Sequence, residues 1–376
     1  MIWKIPLSKP DITDLERKKV ERVLETSYLS LGPKLEEFER KIAKYIGVKY
    51  AVGVNSGTSA LHLIIRALGI KEGDEVITTP FSFIASANCI LFEKAKPVFV
   101  DIQPHTFNIN PELIEAKITA KTRAILAVDV FGYPADWDKL SKIAKKHKLF
   151  LIEDSAEALG SEYKNKKCGS FGDAAVFGFY PNKQITTGEG GAVVTNNKKI
   201  ADLCRSMRNQ GRDSKVNRWL VHRRLGYNYR LSELNCALGI AQLARIQEII
   251  KRRNRVARMY SRKLKNIEEI DIPYIVPDVK IDWFVYAIRL KKGFREKERE
   301  QILKSLYKKG IECGIYFPSI HLQPFYRKIF GYKKGDFPIT ESVSERSIAL
   351  PFYNNLREKE INYIVDNLTD ILKKIN

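Results

Sequence analysis

Residues 50–200 constrain this chain most, because short apolar runs alternate there with longer stretches whose apolar residues recur at helical spacing. Short apolar runs read as strands buried on both faces, and the amphipathic stretches between them as crossover helices. The pattern therefore predicts an α/β fold: a mostly parallel central sheet flanked by helices. Strands are expected at 50–54, 75–79, 96–100, 124–128, 150–154, 174–178 and 192–195, and helices at 59–68, 84–94, 111–117 and 136–147. From Ser232 a helical period runs into a basic stretch ending near Leu264, which reads as one long helix leaving this unit. Beyond it, 281–290 reads as a Pro-bounded strand, and 296–309 and 358–374 as helices. The expected organisation is a large α/β domain over 1–250 and a smaller C-terminal α+β domain over 251–376.

Composition narrows the function classes. No apolar run approaches the ~18 residues of a membrane span, and Met1–Pro6 lacks the basic, apolar and small-residue segments of a secretory signal. A cytoplasmic protein without membrane contact is expected. The 5 cysteines are scattered and form no C-x-x-C pair, so neither a disulfide framework nor a metal site is suggested. A formal charge of +21, from 65 Lys plus Arg against 44 Asp plus Glu, would draw polyanions or anionic metabolites. The excess is spread over helical patches such as 142–148 and 245–258, with no recognised nucleic-acid module. No nucleic-acid partner is expected, and a phosphorylated small substrate accounts for the sign equally well.

Three segments carry chemistry. In Asn55-Ser56-Gly57-Thr58-Ser59-Ala60-Leu61, a glycine and hydroxyls stand between a strand and the first turn of a helix. Free backbone N–H groups there form an anion site, although Ser and Thr also occupy such positions simply as caps. About a hundred residues on, strand Phe150-Leu151-Ile152 ends in Glu153-Asp154-Ser155-Ala156-Glu157. A carboxylate at the C-terminal edge of a parallel strand faces the ligand crevice. There it could hold a proton on a pyridine nitrogen or serve as an ordinary helix cap. Third, Phe177-Gly178-Phe179-Tyr180-Pro181-Asn182-Lys183 leads into Gln184-Ile185-Thr186-Thr187-Gly188-Glu189-Gly190-Gly191, placing one lysine after a strand exit and before a glycine-rich turn. A lysine amine fixed by such a turn in a desolvated site can serve as a Schiff-base nucleophile. Any single lysine is by default a solvated surface charge. The succession of anion site, aspartate and lysine is what points to chemistry.

These segments resemble the DegT/DnrJ/EryC1/StrS sugar aminotransferases, a branch of the fold-type I enzymes that use pyridoxal 5'-phosphate (PLP). The resemblance runs from Leu31 to about Pro351. It also includes Leu31-Gly32-Pro33-Lys34-Leu35-Glu36-Glu37-Phe38-Glu39, Asp129-Val130-Phe131-Gly132-Tyr133-Pro134-Ala135-Asp136, Gly226-Tyr227-Asn228-Tyr229-Arg230 and Tyr316-Phe317-Pro318-Ser319-Ile320-His321. It implies that Gly57, Thr58 and Ser59 bind the cofactor phosphate, Phe83 stacks on its ring, Asp154 faces the ring nitrogen and Lys183 carries the cofactor covalently. Asn228 would reach the phosphate of a neighbouring subunit, making a homodimer with shared active sites. Arg230, Tyr316 and His321 would lie near substrate, or else be a structural ion pair, a core tyrosine and a satisfied histidine. Two positions depart from the family: Glu157 stands where many members have Gln, and Gly178 where many have a phosphate-binding Ser. The implied activity is a transaminase moving an amino group from an amino acid, glutamate in the family, to a nucleotide-linked keto-sugar in amino-sugar and polysaccharide biosynthesis. Related sugar dehydratases replace the lysine with histidine, so Lys183 argues against that activity. A regulatory, nucleic-acid-binding protein on the same fold would need no cofactor, and retention of Asp154 and Lys183 argues against it.

Overall fold

The computed structural model describes residues 3–212 and 221–375. Two helices that the alternation gave no sign of precede the first strand, α1 (Asp14–Leu24) and α2 (Pro33–Ile46). A Thr13/Glu16 capping box starts α1. Pro33 in the first turn and left-handed Gly47 at the end bound α2.

The alternation then proceeds largely as expected. Strands β1 (Tyr50–Val54), β2 (Glu75–Thr78), β3 (Lys96–Phe99), β4 (Thr122–Val128) and β5 (Phe150–Asp154) are interleaved with helices α3 (Gly57–Ala67), α4 (Ala85–Phe92) and α5 (Trp137–His147). A short hairpin, β6 (Glu162–Tyr163) and β7 (Lys166–Lys167), precedes β8 (Ala174–Gly178) and β9 (Gly191–Thr195), and α6 (Lys198–Arg208) follows. The seven-stranded sheet has the order β1-β9-β8-β5-β4-β2-β3. Neighbours from β3 to β8 pair in parallel, whereas β9 runs antiparallel to both β8 and β1. The reason is local: β8 and β9 are joined by a loop with no crossover helix, so the chain simply turns back. The expected helix over 111–117 is two short 3-10 turns, Pro111–Leu113 and Glu115–Lys117.

The expected long helix is two, α7 (Glu233–Ala244) and α8 (Ile246–Leu264), separated at Arg245, whose φ and ψ of −103° and 8° leave the helical range. The Arg245 guanidinium there reaches Glu16 at 2.9 Å and Asp11 at 3.2 Å. The remainder comprises β10 (Ile270–Asp271), β11 (Val279–Lys280), β12 (Tyr286–Leu290), α9 (Glu296–Lys308), α10 (Pro324–Phe330), α11 (Pro338–Arg346), β13 (Ser347–Leu350) and α12 (Glu358–Ile375). An antiparallel sheet β10-β12-β13 shares one core with α9 and α12, where Ile288, Leu290 and Ile348 pack with Leu303, Leu306, Ile361 and Ile364. The expected domain boundary at 250/251 falls inside α8. Ile246, Ile249 and Ile250 of that helix pack with Phe38 and Ile240, while Val256, Tyr260 and Leu264 pack with Tyr286 and Leu350.

The strand expected over 281–290 begins only at Tyr286. Residues 281–285 are all buried, which gives them a strand's composition, but the carbonyls of Asp282, Trp283 and Phe284 go to side chains instead of a neighbouring ladder. Gln184 Nε2 donates to Asp282 O at 2.7 Å, and Arg253 donates to Trp283 O at 2.6 Å and Phe284 O at 2.7 Å. Buried carbonyls need partners, and here long polar side chains supply them.

Candidate active site

The site forms where β1, β5 and β8 end, since six of the seven strands point their C-termini to one edge of the sheet. As β1 ends, Ser56 caps α3, its Oγ accepting the Ser59 amide at 3.1 Å and lying 2.9 Å from Ser59 Oγ. Ser59 is thereby buried and engaged in the cap. Gly57 and Thr58, whose first-turn amides the helix does not use, line the cleft. Gly178, at the end of β8, comes close: a Cβ on Gly57 would stand 3.5 Å from its Cα.

At the end of β5, consecutive carboxylates point to opposite faces of the sheet. Asp154 faces the cleft and is 4 % exposed; it accepts hydrogen bonds from Ser86 Oγ at 2.7 Å and Ala156 N at 3.2 Å. Burial raises its pKa, and the Ser86 and Ala156 hydrogen bonds and the Lys183 charge oppose that rise. Glu153 faces the other way into a buried group with Asp129 and Cys168, whose ligand atoms lie within 4.8 Å of one another. Glu153 accepts amides from Gly169, Phe171 and Gly172, and Asp129 those of Ala135 and the Trp137 indole. Ser155 Oγ lies 2.7 Å from Asp129 and 3.0 Å from Glu153. One hydroxyl hydrogen serves both carboxyls only if one of them is protonated. Accordingly, burial, with the neighbouring Glu153 charge, holds the Asp129 carboxyl far above its ordinary range. Every carboxyl oxygen has a hydrogen-bond partner within the protein, so the group is a proton-sharing brace behind the site.

Lys183 follows a tight turn closed by its amide on Tyr180 O at 2.9 Å. Its Nζ lies 3.3 Å from Glu157 Oε1 and 3.9 Å above the Phe284 ring centroid. Glu157 Oε2 accepts the Phe131 amide at 2.9 Å. Burial raises the Glu157 carboxyl's pKa, and the Lys183 charge is the main opposing influence. The cleft encloses about 640 Å³, and Phe83 and Tyr316 line it with these groups. Phe83 is 59 % exposed. Tyr316 OH lies 3.5 Å from Asn182 Nδ2, and Asn182 Oδ1 is buried without a partner.

Thus Gly57, Thr58, Phe83, Asp154, Glu157, Lys183 and Tyr316 converge on one cleft, with Ser59 directly behind it. Three expected residues lie elsewhere. Asn228 forms a backbone bridge with Asn209, and Arg230 donates to Asn209 Oδ1 at 3.0 Å; neither lines the cleft of its own chain. His321 is fully buried against Glu341 at 3.0 Å, with the Phe337 ring 4.7 Å away. Burial lowers its pKa, which Glu341 opposes. Glu341 takes its Nε2, while its Nδ1 is buried without a partner among the described residues, so it stands in the core away from the cleft. Sequence reading missed Ser86, Phe284 and Asn182. Ser86 sits in a largely apolar helix and Phe284 in a largely apolar run, so only their tertiary position distinguishes them. Asn182 adjoins Lys183 and was within reach.

Comparison with known proteins gives the family. A model of the DegT/DnrJ/EryC1/StrS aminotransferase family matches residues 10–369. The chain is 37% identical over 371 residues to GDP-perosamine synthase of Caulobacter vibrioides, covering 98% of each chain. Helicobacter pylori PseC, an aminotransferase involved in the biosynthesis of pseudoaminic acid, superposes with a TM-score of 0.94 at 32% identity, covering 98% of this chain and 99% of PseC. The PLP-form of Streptococcus pneumoniae Spr1654, described as a putative sugar aminotransferase, superposes with a TM-score of 0.94 at 29% identity over 99% of each chain.

Proposed function

The chain belongs to the DegT/DnrJ/EryC1/StrS aminotransferase family, PLP-dependent sugar aminotransferases, and from that premise we propose that its cleft binds PLP and transfers an amino group from glutamate to a nucleotide-linked keto-sugar. The observation that carries the reading is the setting of Lys183: a mostly buried amine between Glu157 and Phe284, with a helix N-terminus and a buried aspartate on the neighbouring strand ends. The groups fit the cofactor. Gly57 and Thr58 would hold its phosphate, Asp154 its ring nitrogen and Phe83 its face, while Lys183 would bind it covalently. The unpartnered Asn182 Oδ1 leaves an acceptor at the cleft for an incoming polar group.

Bound PLP supplies an electron sink for charge developing at the substrate carbon. The chain's part is positional and electrostatic. Asp154 offers its carboxyl at the end of β5, where burial raises its pKa and the Ser86 hydroxyl, the Ala156 amide and the Lys183 charge oppose that rise. Lys183 Nζ would take the proton from the amino donor's Cα and, in the second half of the exchange, deliver one to the sugar carbon that receives the amine, and Glu157 Oε1 beside it can share that proton. Phe284 closes the floor beneath Nζ and keeps water from that side.

Among the described residues that line the cleft, Lys183 is the one cation, against Asp154, Glu157 and Glu189. A phosphate cofactor and a nucleotide diphosphate need more positive charge than one chain's cleft provides. Asn228 and Arg230, outside their own cleft, and the exposed apolar residues Tyr28, Leu29, Leu31, Tyr180 and Leu225 support a homodimer in which each chain completes the other's site. A nucleotide-linked sugar is supported by GDP-perosamine synthase among the relatives and by the +21 charge, and amino-sugar and polysaccharide biosynthesis is the corresponding role in the cytoplasm.

The test is the absorbance spectrum of protein with PLP, before and after glutamate, beside Lys183→Ala. A visible band that glutamate moves towards the ultraviolet, and that borohydride fixes to Lys183, is expected. Folded wild-type protein with no cofactor-dependent band would refute the proposal.

A further inference from the structure

Gln184 follows Lys183, is 3 % exposed, and spends a single amide nitrogen on two separate segments. Its Nε2 donates to Glu157 O at 2.5 Å and to Asp282 O at 2.7 Å. A side-chain amide nitrogen carries two hydrogens, so both are committed. The first bond ties down the residue whose Oε1 meets Lys183 Nζ. The second ties down a segment that, two residues later, supplies the Phe284 ring beneath the same Nζ. Neither tethered carbonyl belongs to regular secondary structure. Glu157 lies in the turn after β5, and Asp282 lies between β11 and β12, outside any ladder. The Asp282 amide is held separately, donating to Ser161 Oγ at 2.9 Å, while Ser161 Oγ donates to Gly132 O at 2.7 Å. The Lys183 turn, the β5 exit and the 281–285 segment thus meet at one side-chain nitrogen.

We propose that Gln184 is a positioning residue that holds Lys183 in register with both Glu157 and Phe284, setting where the amine stands in the cleft. The proposal rests on the reading that Lys183 carries the cofactor. Gln184 does not itself line the cleft. It acts through the two groups that bracket Nζ. An amine displaced by about an ångström reacts more slowly by up to about 100-fold, so loss of Gln184 should slow capture of an aldehyde by Lys183.

Gln184→Met keeps the length and removes both donors. Wild type and variant are compared by the rate at which added PLP develops the visible band, by the mass of the borohydride-fixed Lys183 peptide, by the pH midpoint of that band, and by Tm. The expected result is a roughly 10- to 100-fold slower capture with a shifted midpoint, in a variant that still folds. If Gln184→Met does not fold, the isosteric Gln184→Glu, which offers at most one hydrogen in place of two, is read in the same way at pH 8. Unchanged capture rate and midpoint, whatever the loss in Tm, would make Gln184 a structural residue only and overturn the proposal. Wild-type protein that fixes no cofactor on Lys183 would instead overturn the reading of the site, and this proposal with it.

Discussion

Ser86 reaches Asp154 across 68 residues of sequence, and its hydroxyl is one of the few influences working against the burial that raises that carboxyl. Removing it in Ser86→Ala takes away a hydrogen bond to the charged form, worth about 1.5–3 kcal/mol, and so raises the Asp154 pKa further. The sign follows: the acid limb of kcat/KM should move to higher pH, while activity well above that limb changes little. A pH profile of the variant beside wild type checks this, and an unmoved limb would separate Asp154 from the rate. At this scale the sequence was only partly legible. Lys183 and Asp154 could be picked out because each follows a recognisable strand. The groups that meet them, Ser86 at Asp154 and Phe284 beneath Lys183 Nζ, come from distant segments that look like ordinary core.

At the scale of elements, β9 does more than fill the sheet. Gly191, its first residue, lies so close to the turn before α3 that a Cβ there would stand 2.5 Å from Ser56 C and O and 2.7 Å from Gly57 N. Backbone cannot yield to such contacts without moving, so Gly191→Ala should displace the N-terminus of α3. We expect cofactor affinity to fall by about tenfold or more, with far-UV circular dichroism intact, measured by equilibrium titration with PLP; an unchanged Kd would mean that the turn does not bind the phosphate. A second element-level contact is the break between α7 and α8. Arg245 meets Glu16 of α1 there, with side chains only 11% and 1% exposed. Arg245→Met leaves Glu16 buried without its cation and should cost about 3 kcal/mol in a denaturant titration. The helical period of residues 232–264 runs on through Arg245 and gave no warning of this break, because the ion pair that exploits it involves a helix more than two hundred residues away.

For the whole molecule, buried carboxyls set opposing limits on stability. Burial would raise Glu16, but the Thr13 hydroxyl and Arg245 outweigh it and bring the pKa down to about 2 from 4.5. A depressed carboxyl contributes stability above its unfolded value, which is lost as pH falls through the folded one. Glu16 therefore supports the fold above about 4.5 and ceases to do so towards 2. Asp282 is the reverse case: burial lifts it from 3.8 to about 6, so its contribution is complete below 3.8 and lost as pH rises through 6. Asp282→Asn removes the charge while leaving the backbone carbonyl that Gln184 holds. Relative to wild type, the variant should gain Tm at pH 8 compared with pH 4. An equal change at both pH values would show that the Asp282 charge carries no stability. The brace of Asp129 and Glu153, also raised by burial, adds to stability loss on the alkaline side.

What the sequence determined by itself was whatever is written locally: the strand and helix periods from 50 to 200, the parallel majority of the sheet, the capped helix start after the first strand, and the positions of Asp154 and Lys183 at strand exits. These follow from backbone geometry, in which period and turn residues act over a few positions. Tertiary structure alone decided the rest. It reversed β9, because a return loop took the place of a crossover helix. It turned 281–285 from a strand into a strap whose carbonyls are taken by Gln184 and Arg253. It withdrew His321 into the core against Glu341 and left Asn228 and Arg230 outside their own cleft. For the 281–285 strap and for His321 the deciding term is where a buried polar group finds its partner, and that partner lies in another segment, beyond what any local pattern can record.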